Sequence, residues 1–424
     1  GNECIPLTNR LLYQSYKMKN HLGEEETYQI PCDKSSAIKM IDDVTETYSM
    51  VKAIQNGSFN ATRNLLALFD NEIEALSCHF IVPDIYDEFL LSKTLNVAGK
   101  LQYGQIQKTP VSIAVAFQYQ ESQDFNVFDV GKEMLVVIDL LNDTLVFTLL
   151  NTSIDQQLAE QLPYHGVVWE RHPRKMYSVT DTIDTFISKL KDKGYNIDQR
   201  IYQTFGLEGL LADAGNLSIY FGDENWLSIS DEIGELVKNM KIDIHRHIEQ
   251  FIQDFQGRIG DKKITFISLV EQLNYEGPLP FIKMTRKDVL SGCKLFEDAE
   301  KILTEKNIKS TLWRDFLEPL AIKRLVGQFD LIKEGQAITP IVGGETHIKI
   351  PETFQLKKGV SRYEFDLLKG DGSTISRYSA IIQNDVVVEK DIICRLKLTY
   401  RYGAEQPYEL IFEPIQESDQ RYFK

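Results

Sequence analysis

Apolar positions crowd most densely between Glu133 and Asn151, which read E-M-L-V-V-I-D-L-L-N-D-T-L-V-F-T-L-L-N. Residues 134–138 and 145–150 are two short runs rich in β-branched residues, and the stretch from Asp139 to Thr144 between them carries polar turn formers, which predicts a hairpin. Strands this apolar suit the interior of a sheet covered on both faces. Their polar tip would then sit at the rim, where ligands usually bind, so Asp139 and Thr144 are the first candidate site residues.

Elsewhere the pattern alternates between helical and strand periods. Weak helical spacing runs through residues 37–54 (Ile38, Ile41, Val44, Tyr48, Val51), followed by a loop at Asn56-Gly57-Ser58. Residues 61–76 predict a helix, 78–82 a buried strand ended by Pro83, 89–101 another helix, and 111–119 a buried helix with Pro110 at its first turn. Beyond the hairpin, 163–173 reads as an aromatic, His-containing loop, 179–190 as an amphipathic helix with Thr180 as a cap, and 217–221 as a strand. Residues 231–255 place Ile233, Leu236, Val237, Met240, Ile244, Ile248, Phe251 and Ile252 on one stripe of a long helix. A buried strand is predicted at 263–269 and a further helix at 288–302, where Gly292 implies close packing against a neighbour.

From Ile338 onward the period changes to strict alternation, with turn signals at Gly343-Gly344, Lys357-Lys358-Gly359 and Gly370-Asp371-Gly372. The change divides the chain into a mixed helical segment over 1–60, an α/β domain over 61–330 and a small antiparallel β domain over 338–415, with residues 327–335 as linker.

Size supports several domains, since 424 residues exceed the roughly 250–300 at which single cores stop growing. The net charge of −15 repels a nucleic-acid backbone, and no basic patch offsets it. No apolar run approaches the ~20 residues of a membrane helix. Cys4, Cys32, Cys78, Cys293 and Cys394 are scattered without a C-x-x-C pair, which fits reduced thiols in a cytoplasmic protein better than a zinc site or a disulfide framework. The sequons at Asn56, Asn60, Asn142, Asn151 and Asn216 are read as chance matches. Gly1 reads as a tag remnant and the chain as a piece of something longer.

Order along the chain carries a resemblance. The succession H-F-I-V-P-D-I-Y (from His79), T-P-V-S-I-A-V-A-F (from Thr109) and V-V-I-D-L-L-N-D-T (from Val136) resembles the DnaK-type heat-shock chaperones of the actin-like ATPase superfamily. That family has a V-P-A-Y-F strand end, an E-P-T-A-A-A-L-A-Y helix and a D-L-G-G-G-T phosphate loop in the same order. A-D-A-G-N-L-S-I (from Ala212) and D-V-L-S-G-C-K-L-F (from Asp288) are similar to later family segments, and the β domain is placed like the family's substrate-binding domain. The resemblance, over residues 61–414, implies an actin-like α/β fold with ribonuclease H-like lobes followed by a small antiparallel β-sandwich domain. It implies cofactor contacts at Asp139, Thr144 and Gly292: Asp139 would hold a metal-bound water and Thr144 a phosphate oxygen.

Two departures point to a degenerate site. Leu141, Asn142 and Asp143 stand where the family has three glycines, although glycine is what lets backbone N–H groups crowd a phosphate. No glycine falls in residues 267–271, where the family's second signature belongs, and the family's first phosphate loop has no counterpart.

The remaining candidates have bland readings. For Asp139 and Thr144 that reading is an ordinary hairpin tip, and for Gly292 it is helix packing. His245 and His247 are two apart on a helix, so they face different ways and suit a solvated surface better than a shared metal. His165, Trp169, Arg171, His172 and Arg174 suit either a recognition loop or a packed connector. Tyr400, Tyr402, Tyr408 and Phe412 suit a β-domain core or the edge of a peptide groove. No nucleophile elbow, Walker loop, H-E-x-x-H or G-x-G-x-x-G occurs.

The expectation is a chaperone-like binding or scaffold module in which ATPase activity is lost. It would hold no cofactor or metal and would contact a protein or peptide partner, not nucleic acid or membrane, through the β domain. The alternatives are an ATP-regulated chaperone using ATP with magnesium, its first phosphate loop lying upstream, and a structural subunit of a bacterial assembly.

Overall fold

The structure, a computed structural model, describes residues 10–19, 22–31, 44–49, 77–86, 91, 105–141, 144–162, 166–192, 218–220, 226–228, 230–270, 273–323, 327–333, 335–338, 346–360, 362–370, 372–381, 388–401 and 407–422. The helix expected at 61–76, most of that at 89–101, and His165, Asn142, Asp143 and Tyr402 lie outside the described residues.

The chain begins with β1 (Arg10–Lys19), β2 (Glu25–Pro31) and β3 (Val44–Ser49), an antiparallel sheet with β1 in its centre. This overturns the helical expectation at residues 44–49. Val44 and Tyr48, four apart, fit either period, and the β-branched and aromatic residues of V-T-E-T-Y-S favour the strand. Next, β4 (Ser77–Val82) and β5 (Gln105–Pro110) pair in parallel, and α1 (Val111–Gln120) follows directly. Pro110 is the residue before α1 rather than part of its first turn, and it supplies no side-chain cap. Asp84 does so from a distance: its carboxylate accepts the backbone N–H of Ser112 at 2.8 Å and the Ser112 hydroxyl at 2.7 Å.

The hairpin is β6 (Glu133–Leu141) and β7 (Thr144–Ile154), longer on both sides than the apolar runs alone predict. Then come α2 (Gln156–Ala159), β8 (Val167–Arg171), β9 (Lys175–Ser178), α3 (Thr180–Asp192), β10 (Ser218–Tyr220), β11 (Trp226–Ser228) and α4 (Ser230–Ile259). At the start of α3 the hydroxyl that accepts the Thr180 N–H belongs to Ser178, at 3.3 Å. The chain continues through β12 (Lys263–Ser268), β13 (Phe281–Lys283) and α5 (Arg286–Glu305). The last strands are β14 (Trp313–Phe316), β15 (Leu320–Lys323), β16 (Gln328–Ile332), β17 (Ala337–Ile338), β18 (Thr346–Leu356), β19 (Arg362–Lys369), β20 (Thr374–Ile381), β21 (Ile392–Tyr400) and β22 (Tyr408–Pro414).

Two compact units divide the chain, one of Gly1–Leu149 with Arg174–Glu297 and one of Leu150–Pro173 with Asp298–Lys424. In the first, the sheet order is β13-β12-β6-β7-β9. β12 runs parallel to both β13 and β6, whereas β7 turns back from β6 and pairs antiparallel with β9. Three meandering strands with two parallel strands added beside the first make a mixed α/β sheet, the order expected of a ribonuclease H-like lobe.

One face of this sheet carries the main core. Met134, Val136 and Ile138 of β6 and Leu145 and Phe147 of β7 meet α3 and the predicted stripe of α4, in which Ile233, Leu236, Met240, Ile244, Ile248 and Phe251 are fully buried. Phe147 packs edge-on against Tyr177 with centroids 5.1 Å apart and against Phe251 at 5.5 Å. By strand alternation Leu135, Val137 and Asp139 point to the other face, and α1 lies against β6.

The two histidines of α4 do face different ways, but the solvated surface expected for them is corrected for His247. It is buried and stacks on Tyr177 at 4.6 Å, while His245 lies on Tyr275 at 4.4 Å.

In the second unit the end of β7 pairs antiparallel with β8, and β8 pairs parallel with β14, which pairs with β17. The recognition loop considered for 163–173 instead contains strand β8 over Val167–Arg171, and Trp169, Arg171 and His172 are buried. Arg171 donates to the Asp315 carboxylate from Nε at 3.1 Å and from Nη2 at 2.7 Å, and His172 stacks on Phe316 at 4.3 Å. These contacts make the segment a packed connector. Two antiparallel sheets complete the unit, β16-β15-β19-β20 and β18-β21-β22. The stretch expected as linker contains β16, whose Phe329 and Leu331 are buried while Asp330 is exposed, a period of two that turn glycines at either end had masked. Tyr400 is core, and Phe412 packs on the cluster around Ile392 and Cys394.

Burial holds the His247 imidazole below its usual range; Arg246 adds to this and Asp243 opposes it. The unfolded chain takes up that proton near the ordinary value of about 6.5, whereas the folded chain resists it. Stability is therefore full above that pH and falls as pH drops through the window beneath it. His247→Gln is expected to flatten this fall, read as the shift in urea midpoint between about pH 7.5 and about pH 5.

Candidate functional site

The strand end that the hairpin predicts as a rim is closed by α5. Thr285 caps this helix: the Asp288 carboxylate accepts the Thr285 backbone N–H at 2.6 Å and its hydroxyl at 2.8 Å, while the Thr285 hydroxyl accepts the Asp288 N–H at 3.3 Å. This reciprocal cap sets Arg286 as the first residue of the helix. Asp139 lies within β6, not in the turn, and is only 5% exposed. Its two oxygens accept from the Arg286 guanidinium, Oδ1 from Nη2 at 2.7 Å and Oδ2 from Nη1 at 3.2 Å, and Oδ1 also accepts the Leu140 N–H at 2.9 Å. The hairpin-tip reading of Asp139 is thereby corrected. A carboxylate neutralised by a forked guanidinium can stay inside a strand, so β6 runs through Asp139 to Leu141.

This arrangement does not fit a magnesium nucleotide. A metal-bound water at Asp139 would have to displace a two-pronged guanidinium, and the amide end of α5 already meets an acidic side chain that repels phosphate. Leu141 adds a side chain where a phosphate loop needs bare backbone. Thr144 opens β7, half-buried, and pairs in register with Ser178 of β9.

Gly292 is not brought to this strand end. It lies six residues beyond Arg286, about 9 Å along the helix, and abuts α1. A Cβ there would stand 2.8 Å from the Ala114 carbonyl carbon and overlap its oxygen. Nearby, Phe296 packs edge-on against Phe117 with centroids 5.3 Å apart.

A second cluster lies one residue further on. Cys293 and Glu297, one helical turn apart on α5, both face His79 of β4. The His79 ring is bracketed by Glu297 at Nδ1 and by the buried Thr109 hydroxyl at Nε2, the latter at 2.7 Å. The Cys293 sulfur is 3.5 Å from the same Nε2. Imidazole, thiol and carboxylate thus offer one ligating atom each, all within 4.8 Å of one another.

Sequence reasoning missed Arg286 and this cluster. The available signals were T-x-x-D before Val289 and C-x-x-x-E on a helix face, but partners 147 and 218 residues away leave no trace in local periodicity.

No protein-family model matches the chain, and no curated protein does. Solved structures similar to it are actin-like proteins. MreB5 of Spiroplasma citri bound to AMPPNP is 12% identical, with a TM-score of 0.44 over 71% of this chain and 91% of that one. The same protein bound to ADP is 11% identical with a TM-score of 0.40, over 70% and 91%. Ta0583, an archaeal actin homolog, is 12% identical with a TM-score of 0.38, over 69% and 98%. None of the three is a heat-shock protein. Among the described residues no helix is long and apolar enough to cross a membrane.

Two substitutions check these contacts. Gly292→Ala would gain about 1 kcal/mol in an unencumbered helix, but the seat on Ala114 predicts a net loss of about 1–3 kcal/mol in chemical denaturation. Arg286→Ala leaves the Asp139 carboxylate buried without its guanidinium and is expected to cost about 1–3 kcal/mol. Most of that loss should vanish when Asp139→Asn is already present, as a double-mutant cycle would show.

Proposed function

We propose that this chain is a nucleotide-independent binding or scaffold module of actin-like build, in which the former nucleotide rim has become a structural joint. The observation that carries this reading is the two-pronged engagement of Asp139 by Arg286. The acidic cap of α5 supports it in the same sense, since both features place protein charges where phosphate and metal would otherwise compete.

Contact with a protein or peptide partner is assigned to the C-terminal antiparallel sheets. Among the described residues β18 pairs only with β21 and forms one edge of its sheet, with exposed His347 and Lys349 alternating with buried Ile348 and Ile350. An extended segment can add to such an edge through backbone hydrogen bonds. The net charge of −15 favours a partner with basic residues.

Calorimetric titration with ATP and with ADP, each with magnesium, is expected to give no saturable heat at millimolar nucleotide. Micromolar binding that disappears in an Asp139→Ala, Thr144→Ala double variant would replace this reading with that of an ATP-regulated chaperone. Labelled basic peptides of extended sequence should raise fluorescence anisotropy on the full chain; a flat response at every concentration would remove the partner assignment.

A further inference from the structure

We propose that His79, Cys293 and Glu297 form a binding site for one divalent transition ion of the zinc type, joining α5 to β4. This inference is independent of the functional reading above.

The donor set is mixed in the way such ions favour. A thiolate selects zinc-like ions over magnesium or calcium, imidazole suits the same group of metals, and a carboxylate completes a neutral-to-anionic set. Geometry supports the assignment. Bonds of about 2.3 Å to sulfur and about 2.0 Å to nitrogen give a tetrahedral edge close to the 3.5 Å between Cys293 Sγ and His79 Nε2. The third donor, Glu297, lies within the same 4.8 Å limit.

In the arrangement described, both ring nitrogens are spent on hydrogen bonds, Nδ1 on Glu297 and Nε2 on Thr109. Nε2, the nitrogen that faces the Cys293 sulfur, is the one that would bind the ion. The Thr109 hydroxyl then gives up its hydrogen bond to the ring, and a water or that hydroxyl can take the fourth position.

The supports are rigid. Thr109 is fully buried, Cys293 is buried, and the seat of Gly292 on Ala114 fixes the height at which the following thiol meets β4. Binding requires Cys293 to lose its proton and His79 to be neutral, so affinity falls and proton release rises as pH is lowered.

Cobalt(II) is a direct probe, because a thiolate ligand gives a near-ultraviolet charge-transfer band and tetrahedral coordination gives intense visible bands. The full chain, with any polyhistidine tag removed, is expected to saturate at one equivalent and to lose both signals when zinc is added. Cys293→Ser should abolish the charge-transfer band. No saturable band in the unaltered chain would overturn the proposal, as would a band of full strength in Cys293→Ser, which would assign the ion to other thiols. Should that variant fail to fold, Glu297→Gln keeps the hydrogen bond to His79 while removing the charge. It is expected to weaken binding about tenfold or more, and unchanged affinity would overturn the proposal equally.

Discussion

A strand buried along nearly its whole length, β6, carries a carboxylate close to each end, and neutralising those two charges is the requirement around which the neighbouring elements are placed. Glu133 accepts the Tyr119 hydroxyl at 3.1 Å and the Thr265 hydroxyl at 2.7 Å, and the Lys263 ammonium stands 3.1 Å away. Asp139 is met by Arg286. An unmatched carboxylate in such a position is destabilising. Their partners come from three elements packed beside β6, namely α1, β12 and α5. Burial and the Glu133 charge together push the Tyr119 phenol well above its ordinary range, so it remains a hydrogen-bond donor to that carboxylate.

Periodicity made much of this legible. The eight-residue stripe of α4 fits the helical period and not the other, and the short apolar runs around Asp139 are told as strands by their length, their β-branched residues and the polar turn between them. Short stretches with two readings went wrong. Val44 and Tyr48 satisfied a helix as well as the strand they form. The loop reading of 163–173 rested on its aromatic and His content and passed over the V-V-W run of β8. Gly327 and Gly335 looked like a linker although they only bracket β16.

At the candidate site the residues were visible but their environment was not. Asp139 read as polar and therefore as a turn residue, because nothing local announces that a guanidinium 147 residues later will neutralise it. Gly292 was found for a structural reason that does not depend on any ligand, and the structure gives it that role. His79 stood in a quoted motif without a task, since its meaning comes only from the two side chains that α5 brings to it.

Helix α5 holds three attachments in twelve residues: Arg286 on Asp139, Gly292 on α1, and Cys293 with Glu297 at His79. The middle one is the tightest, backbone against backbone, while the outer two are made by side chains about 9 Å to one side and about 7.5 Å to the other. A rod pinned at its start, near its middle and a turn beyond has no free axis of tilt, so the end of β6 and the middle of β4 are held in register by one helix.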